Sequence, residues 1–73
     1  MLIKTIKGEW VDFKRVAMIR VELNESSARY VDERERYYDV IAVIYGKEYI
    51  LESGKDYDEL VNKVEDWLDE SIV

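Results

Sequence analysis

The 73-residue chain contains no cysteine, no histidine and no proline. The first absence excludes disulfides and thiolate metal sites. The second excludes imidazole ligands and every Ser-His or Cys-His nucleophile. Carboxylates, tyrosine, lysine and serine are the only groups left for acid, base or nucleophilic work. A chain this small also has little interior in which to build a deep, dry pocket. The sequence therefore reads as a non-enzyme with no catalytic residue, no cofactor and no metal. Asp56-Tyr57-Asp58 has the look of a calcium loop, but the glycine and the later acidic ligands of such a loop do not follow. Ser53-Gly54-Lys55 lacks the upstream glycine and the length of a phosphate-binding loop and reads as the entry to a helix.

Long apolar runs are missing as well. None approaches the roughly 18 residues a membrane span needs, and residues 1–7 are too mixed and too short for a secretory signal. The expectation is a cytoplasmic protein that does not touch the membrane. An apolar fraction of 48% nonetheless argues for a folded chain and against an acidic disordered tail. The whole of 1–73 reads as a single domain, and a core of this size supplies only roughly 3–5 kcal/mol. With disulfides and the usual metal sites excluded, association into a homodimer is the ordinary remaining support.

Charge is distributed unevenly. Residues 1–46 hold eight basic and eight acidic side chains, a balance of zero. Residues 47–73 hold three basic and nine acidic side chains, which accounts for the entire net charge of −6. A field concentrated on one element selects partners of opposite sign.

Residues 2–7 are β-branched, end at Gly8 and read as a strand. A short strand at Trp10–Val11 and a turn at residues 12–15 follow, with Asp12 placed to bond nearby amides. Residues 17–23 alternate, with Ala17, Ile19, Val21 and Leu23 on one face and Met18, Arg20 and Glu22 on the other, as in a half-buried antiparallel strand. Residues 24–36 are polar and carry both signs. They read as a long, mobile connection, with a solvated helical turn or two as the alternative. Residues 37–45 form the strongest strand, and Gly46-Lys47 signals a tight hairpin with residues 48–52 returning. That turn sets Ile44 opposite Tyr49 and Val43 opposite Ile50. A helix begins after Gly54 with Asp56 as its N-cap and Glu59 three residues on. Tyr57, Leu60, Val61, Val64, Trp67, Leu68 and Ile72 make its apolar stripe. The fold class is α+β: an antiparallel sheet of four to five strands with one C-terminal amphipathic helix packed on one face.

Two surfaces stand out as candidate sites. The first is the acidic helix face of Asp58, Glu59, Glu65, Asp66, Asp69 and Glu70, suited to a basic protein partner. The simpler reading is a solvated face that keeps a small protein soluble. Asp69 and Glu70 sit in the last turn, where the helix dipole disfavours anions by a few tenths of a kcal/mol each. The second surface is the far face of the hairpin, Ile41, Val43, Tyr45 and Ile50. Either residues 2–6 and 10–16 curl over it or it is a homodimer face. Trp10 and Phe13 read as core filler or as an exposed recognition pair. Tyr30, Tyr37 and Tyr38 lie beside Arg29, Arg34 and Arg36, but interleaved Asp32, Glu33, Glu35 and Asp39 cancel the field that nucleic acid would need. Direct nucleic-acid binding is not expected.

Gly8, Val11, Asp12 and Val16 set a pattern of glycine, Val or Ile, Asn or Asp, and Val or Ile after the first strand. Alternating strands, a glycine hairpin and a tyrosine-anchored final helix complete it. In this the chain resembles short uncharacterised bacterial and phage-encoded proteins. The resemblance implies a compact sheet with a C-terminal helix, and it implies no activity.

Overall fold

The computed structural model describes residues 1–72, and of Ile72 the backbone alone. Its strands are β1 (Leu2–Lys4), β2 (Trp10–Asp12), β3 (Met18–Leu23), β4 (Tyr38–Ile44) and β5 (Lys47–Gly54), followed by helix α1 (Tyr57–Ile72). The α+β class and the single C-terminal helix agree with the sequence reading. The single sheet does not. β1 and β2 form a two-stranded antiparallel sheet of their own, and β3, β4 and β5 form a three-stranded one in that order. One backbone bond, from the Ile6 amide to the Ile50 carbonyl at 3.0 Å, ties the tip of the first hairpin to the outer edge of β5. The chain turns away immediately after it, so the ladder cannot propagate and the sheets stay separate.

The first hairpin closes through Ile6, Lys7 and Gly8. Gly8 adopts φ +87°, a left-handed conformation open to glycine at little cost. Thr5, buried at this tip, accepts the Glu9 amide on its hydroxyl at 3.1 Å. Asp12 accepts the Lys14 amide at 3.0 Å and so opens a single 3-10 turn, Phe13–Arg15, as its placement in the sequence suggested.

Hairpin β4–β5 turns one residue earlier than the sequence reading placed it. Tyr45 (φ +50°) and Gly46 (φ +78°) occupy the two central positions, so Ile44 opposes Lys47 and Val43 opposes Glu48. Two consecutive positive φ values give the turn the twist of its flanking strands, which a Gly46-Lys47 turn would not. Tyrosine is a costly choice there. Replacing Tyr45, whose side chain is 85% exposed, by asparagine is expected to raise stability by about 0.5–1 kcal/mol. A urea midpoint at or below that of the wild type would contradict this.

The register shifts once more between Val40 and Ile41, which oppose Glu52 and Ile50, leaving Leu51 as the extra residue of a bulge. The bulge changes the phase of β5. Leu51 joins the core, while Glu52 lies on the same side of the sheet and reaches Lys63 of the helix.

The core is one cluster on one face of the large sheet: Val40, Ala42, Ile44 and Leu51 below, Leu60 and Val64 of α1 above, and Ile3, Val11 and Phe13 of the first hairpin alongside. The strands of the hairpin thus share the helix's side of the sheet, while its tip, at Thr5, Lys7 and Glu9, borders Ile41 and Ile50 of the opposite face. Of the two readings of that face, the curl of residues 2–6 and 10–16 is realised only at this tip. Phe13, 4% exposed, sets its ring 6.1 Å from that of Trp67, whereas Trp10 faces outward at 64% exposure. The two readings of these aromatics thus divide between them: Phe13, in the 3-10 turn, fills the core, and Trp10, on β2, stays at the surface. The α1 stripe is buried at Leu60 and Val64, half-buried at Val61 and Trp67, and more open at Tyr57 and Leu68. The Ile72 side chain of that stripe lies outside the described residues.

Residues 24–36 hold two 3-10 turns, Ser27–Arg29 and Glu33–Glu35, on a polar scaffold. Ser27 is wholly buried. Its hydroxyl accepts the Tyr37 amide at 3.0 Å and lies 3.0 and 3.1 Å from the Asn24 and Tyr37 carbonyls, to which it can donate. Asn24 donates its side-chain amide to Asp39 at 2.7 Å, and Ser53 donates its hydroxyl to the other Asp39 oxygen at 2.6 Å. This network fastens the segment to β4 and β5.

Candidate functional site

The acidic face is placed by the same periodicity that buries the apolar stripe. At 3.6 residues per turn, Asp58, Glu65 and Asp69 fall on one line and Glu59, Asp66 and Glu70 on the next. All six are exposed. From Asp58 to Glu70 the face runs about 18 Å at 1.5 Å per residue.

Helix chemistry accounts for part of this charge. Asp56 caps the helix by accepting the Glu59 amide at 3.2 Å, and Asp58 and Glu59 occupy the first turn, where the dipole favours anions. No such account covers the rest. The last turn holds no basic residue, and Asp69 and Glu70 stand there against the dipole. Lys63 is the one cation on the helix, and it turns away. Its ammonium is 2.6 Å from Glu52 on the sheet and lies over the Trp67 ring at 6.0 Å. Among the described residues, none of the six acidic residues forms an ion pair.

The other face of the large sheet is less bare than the sequence suggested. Ile41 is buried, Val43 and Ile50 are half-buried, and only Tyr45, at the turn, is freely exposed. Arg20 on β3 opposes Ile41 and Glu48 on β5 opposes Val43, yet the guanidinium reaches Glu48 at 2.7 Å and Glu22 at 2.9 Å. An ion pair therefore spans the central strand over this apolar face. The hydrogen bonds from Arg20 to Glu22 and then to Glu48 hold its guanidinium well above its usual pKa.

Of the tyrosines and arginines around residues 29–38, Tyr38, Arg34 and Arg36 are engaged in local structure, whereas Arg29 and Tyr30 are exposed. Tyr38 packs edge-on against Tyr57 at 5.3 Å. Arg34 bonds Asp32, which holds that carboxyl below its ordinary range, and Arg36 donates to the Tyr30 carbonyl at 3.0 Å.

Among the described residues no group of three or more carboxylates converges as a metal ligand set would, and no helix is long and apolar enough to cross a membrane. The Asn24–Ser27–Asp39–Ser53 network escaped the sequence reading. Its members are far apart in the chain and share no periodicity. Comparison with protein-family models, with curated proteins and with solved structures found no match.

Proposed function

We propose that the chain is a non-enzymatic protein-interaction module whose acidic helix face docks on a basic protein surface. The observation that carries this reading is the missing counter-charge: six exposed carboxylates that have no ion-pair partner among the described residues, beside a lysine committed to the sheet. Solubility alone asks for charge and not for its segregation onto one helix, still less for anions at the helix C-terminus. Carboxylates strung along about 18 Å of helix suit a groove that otherwise receives phosphates. One form of the proposal is therefore an inhibitor of a nucleic-acid-binding protein. A second reading makes the chain a structural or oligomer-forming subunit that uses the sheet face of Ile41, Val43, Tyr45 and Ile50. The exposed Tyr45, held at positive φ, favours keeping it, because strained backbone gathers at functional positions.

The test is the triple substitution Glu65→Lys, Asp66→Lys and Asp69→Lys. Each reversal adds two charge units, so the chain goes from −6 to neutral. A control triple, Glu9→Lys, Glu25→Lys and Glu33→Lys, reaches the same net charge on other exposed positions. A protein captured by the wild type at low salt, then purified and re-bound, is expected to lose at least about tenfold in affinity for the helix variant and much less for the control, and to be released as salt screens the contact. Equal loss in both variants, or capture indifferent to salt, would move the reading to the sheet face.

A further inference from the structure

The three-stranded sheet has two unlike edges. The outer edge of β5 carries the bulge at Leu51 and receives the Ile6 amide, both of which spoil it as a template for another strand. The outer edge of β3 has neither device. The Asn24 amide bonds the Tyr37 carbonyl at 2.9 Å, one step beyond the opposed pair Leu23 and Tyr38. Alternation along an antiparallel ladder then turns the backbone groups of Met18, Arg20 and Glu22 toward β4 and those of Ile19, Val21 and Leu23 outward. Among the described residues no turn or loop backbone hydrogen bond reaches these three. β3 is six residues long and contains no proline, lysine or bulge.

We infer that this edge pairs antiparallel with β3 of a second copy about a two-fold axis at Val21. The residues of the strand select both the partner and the register. With Val21 opposite itself, Ile19 opposes Leu23, and the outward amides and carbonyls of all three meet their counterparts. The same register sets Arg20 of each copy opposite Glu22 of the other, so both cross-strand pairs are of opposite charge. Sliding the strand by two residues keeps the backbone groups in phase but sets Arg20 against Arg20 in one direction and Glu22 against Glu22 in the other. Like charges directly opposite destabilise a ladder, so the neighbouring registers are penalised and this one is favoured. Arg20 engages its own chain through Nε and one terminal nitrogen, which leaves its second terminal nitrogen for Glu22 of the other copy. The product is a closed six-stranded sheet, because the edges left outside are the bulged ones.

This inference is independent of the acidic helix, and salt separates the two. The paired copies together carry twice −6, so screening between about 50 and 300 mM salt tightens self-association and loosens docking to a basic partner. The decisive experiment is sedimentation equilibrium on the wild type, on Arg20→Glu, on Glu22→Arg and on an equimolar mixture of the two variants, with amide hydrogen exchange on the wild type. The wild type is expected to dimerise, and each variant to dissociate at least about tenfold more readily, because both cross-strand pairs become like-charged. The mixture is expected to recover wild-type association, since opposite charges again face across both pairs. The Ile19, Val21 and Leu23 amides are expected to exchange more slowly as concentration rises. A wild type that stays monomeric at high micromolar concentration with these three amides freely exchanging overturns the inference. So does a dimer that the single substitutions leave unchanged, or a mixture that recovers nothing. Should a variant fail to fold, the concentration dependence of the three wild-type amides decides alone.

Discussion

Phe13→Ala is expected to leave most of the chain unfolded at 25 °C. Phe13 is 4% exposed, packs against Trp67 and belongs to the cluster that joins the first hairpin to the helix and the large sheet. Removing a buried phenylalanine ring costs about 3–5 kcal/mol in lost transfer energy and residual cavity. A core of this size supplies roughly the same total. No disulfide is present to limit the unfolded ensemble. Phe13→Leu fills most of the space and should cost about 1 kcal/mol. Circular dichroism with urea titration checks both. A Phe13→Ala protein with a cooperative transition near that of the wild type would mean that the hairpin contributes little to the fold.

Asp39→Ala is expected to cost about 2–3 kcal/mol through a different mechanism. The carboxylate is 5% exposed and accepts the Asn24 amide and the Ser53 hydroxyl on separate oxygens. Hydrogen bonds to an ionised acceptor are the stronger kind, and deleting the acceptor strands two part-buried donors. Asp39→Asn should lie between the wild type and Asp39→Ala. Its amide offers one acceptor oxygen, so one donor is satisfied and the other meets N–H against N–H. Because Asp39 and Ser53 are in direct contact, Asp39→Ala combined with Ser53→Ala should cost less than the two changes summed, by about 1 kcal/mol. Strict additivity in chemical denaturation would show that the bond at 2.6 Å contributes nothing net.

How legible these features were depends on whether one face of an element is buried. Residues 18–23 alternate cleanly because only the side of Ile19 and Val21 meets the core, so period and burial agree. The helix was legible for the same reason at its own period, and the exposed line of carboxylates followed from it. β4 was legible as a strand and not as a register. Val40, Ile41, Ala42 and Ile44 are all buried, on both faces, so the sequence carries no phase for its partner to match. Gly46 satisfies either central position of a tight turn, and the tyrosine before it disfavours the position it takes. The division into two sheets turns on one chain reversal after Ile6, an event too local to leave a period. Asn24, Ser27, Asp39 and Ser53 meet only after the strands have assembled, and nothing in their spacing announces it.

The contact between Phe13 and Trp67 also bears on the order in which the molecule is made. Ile3, Val11 and Phe13 leave the ribosome early, but two of the surfaces that bury them, β4 and the second half of α1, come much later in the chain. An isolated two-stranded hairpin is marginal at best in water. Until those later residues are made, the first hairpin has no complete surface on which to bury its apolar side. The β4–β5 hairpin and the helix are consecutive, and their contacts close over short loops. Within residues 1–72, the first hairpin is thus the element whose burial waits longest for residues that follow it.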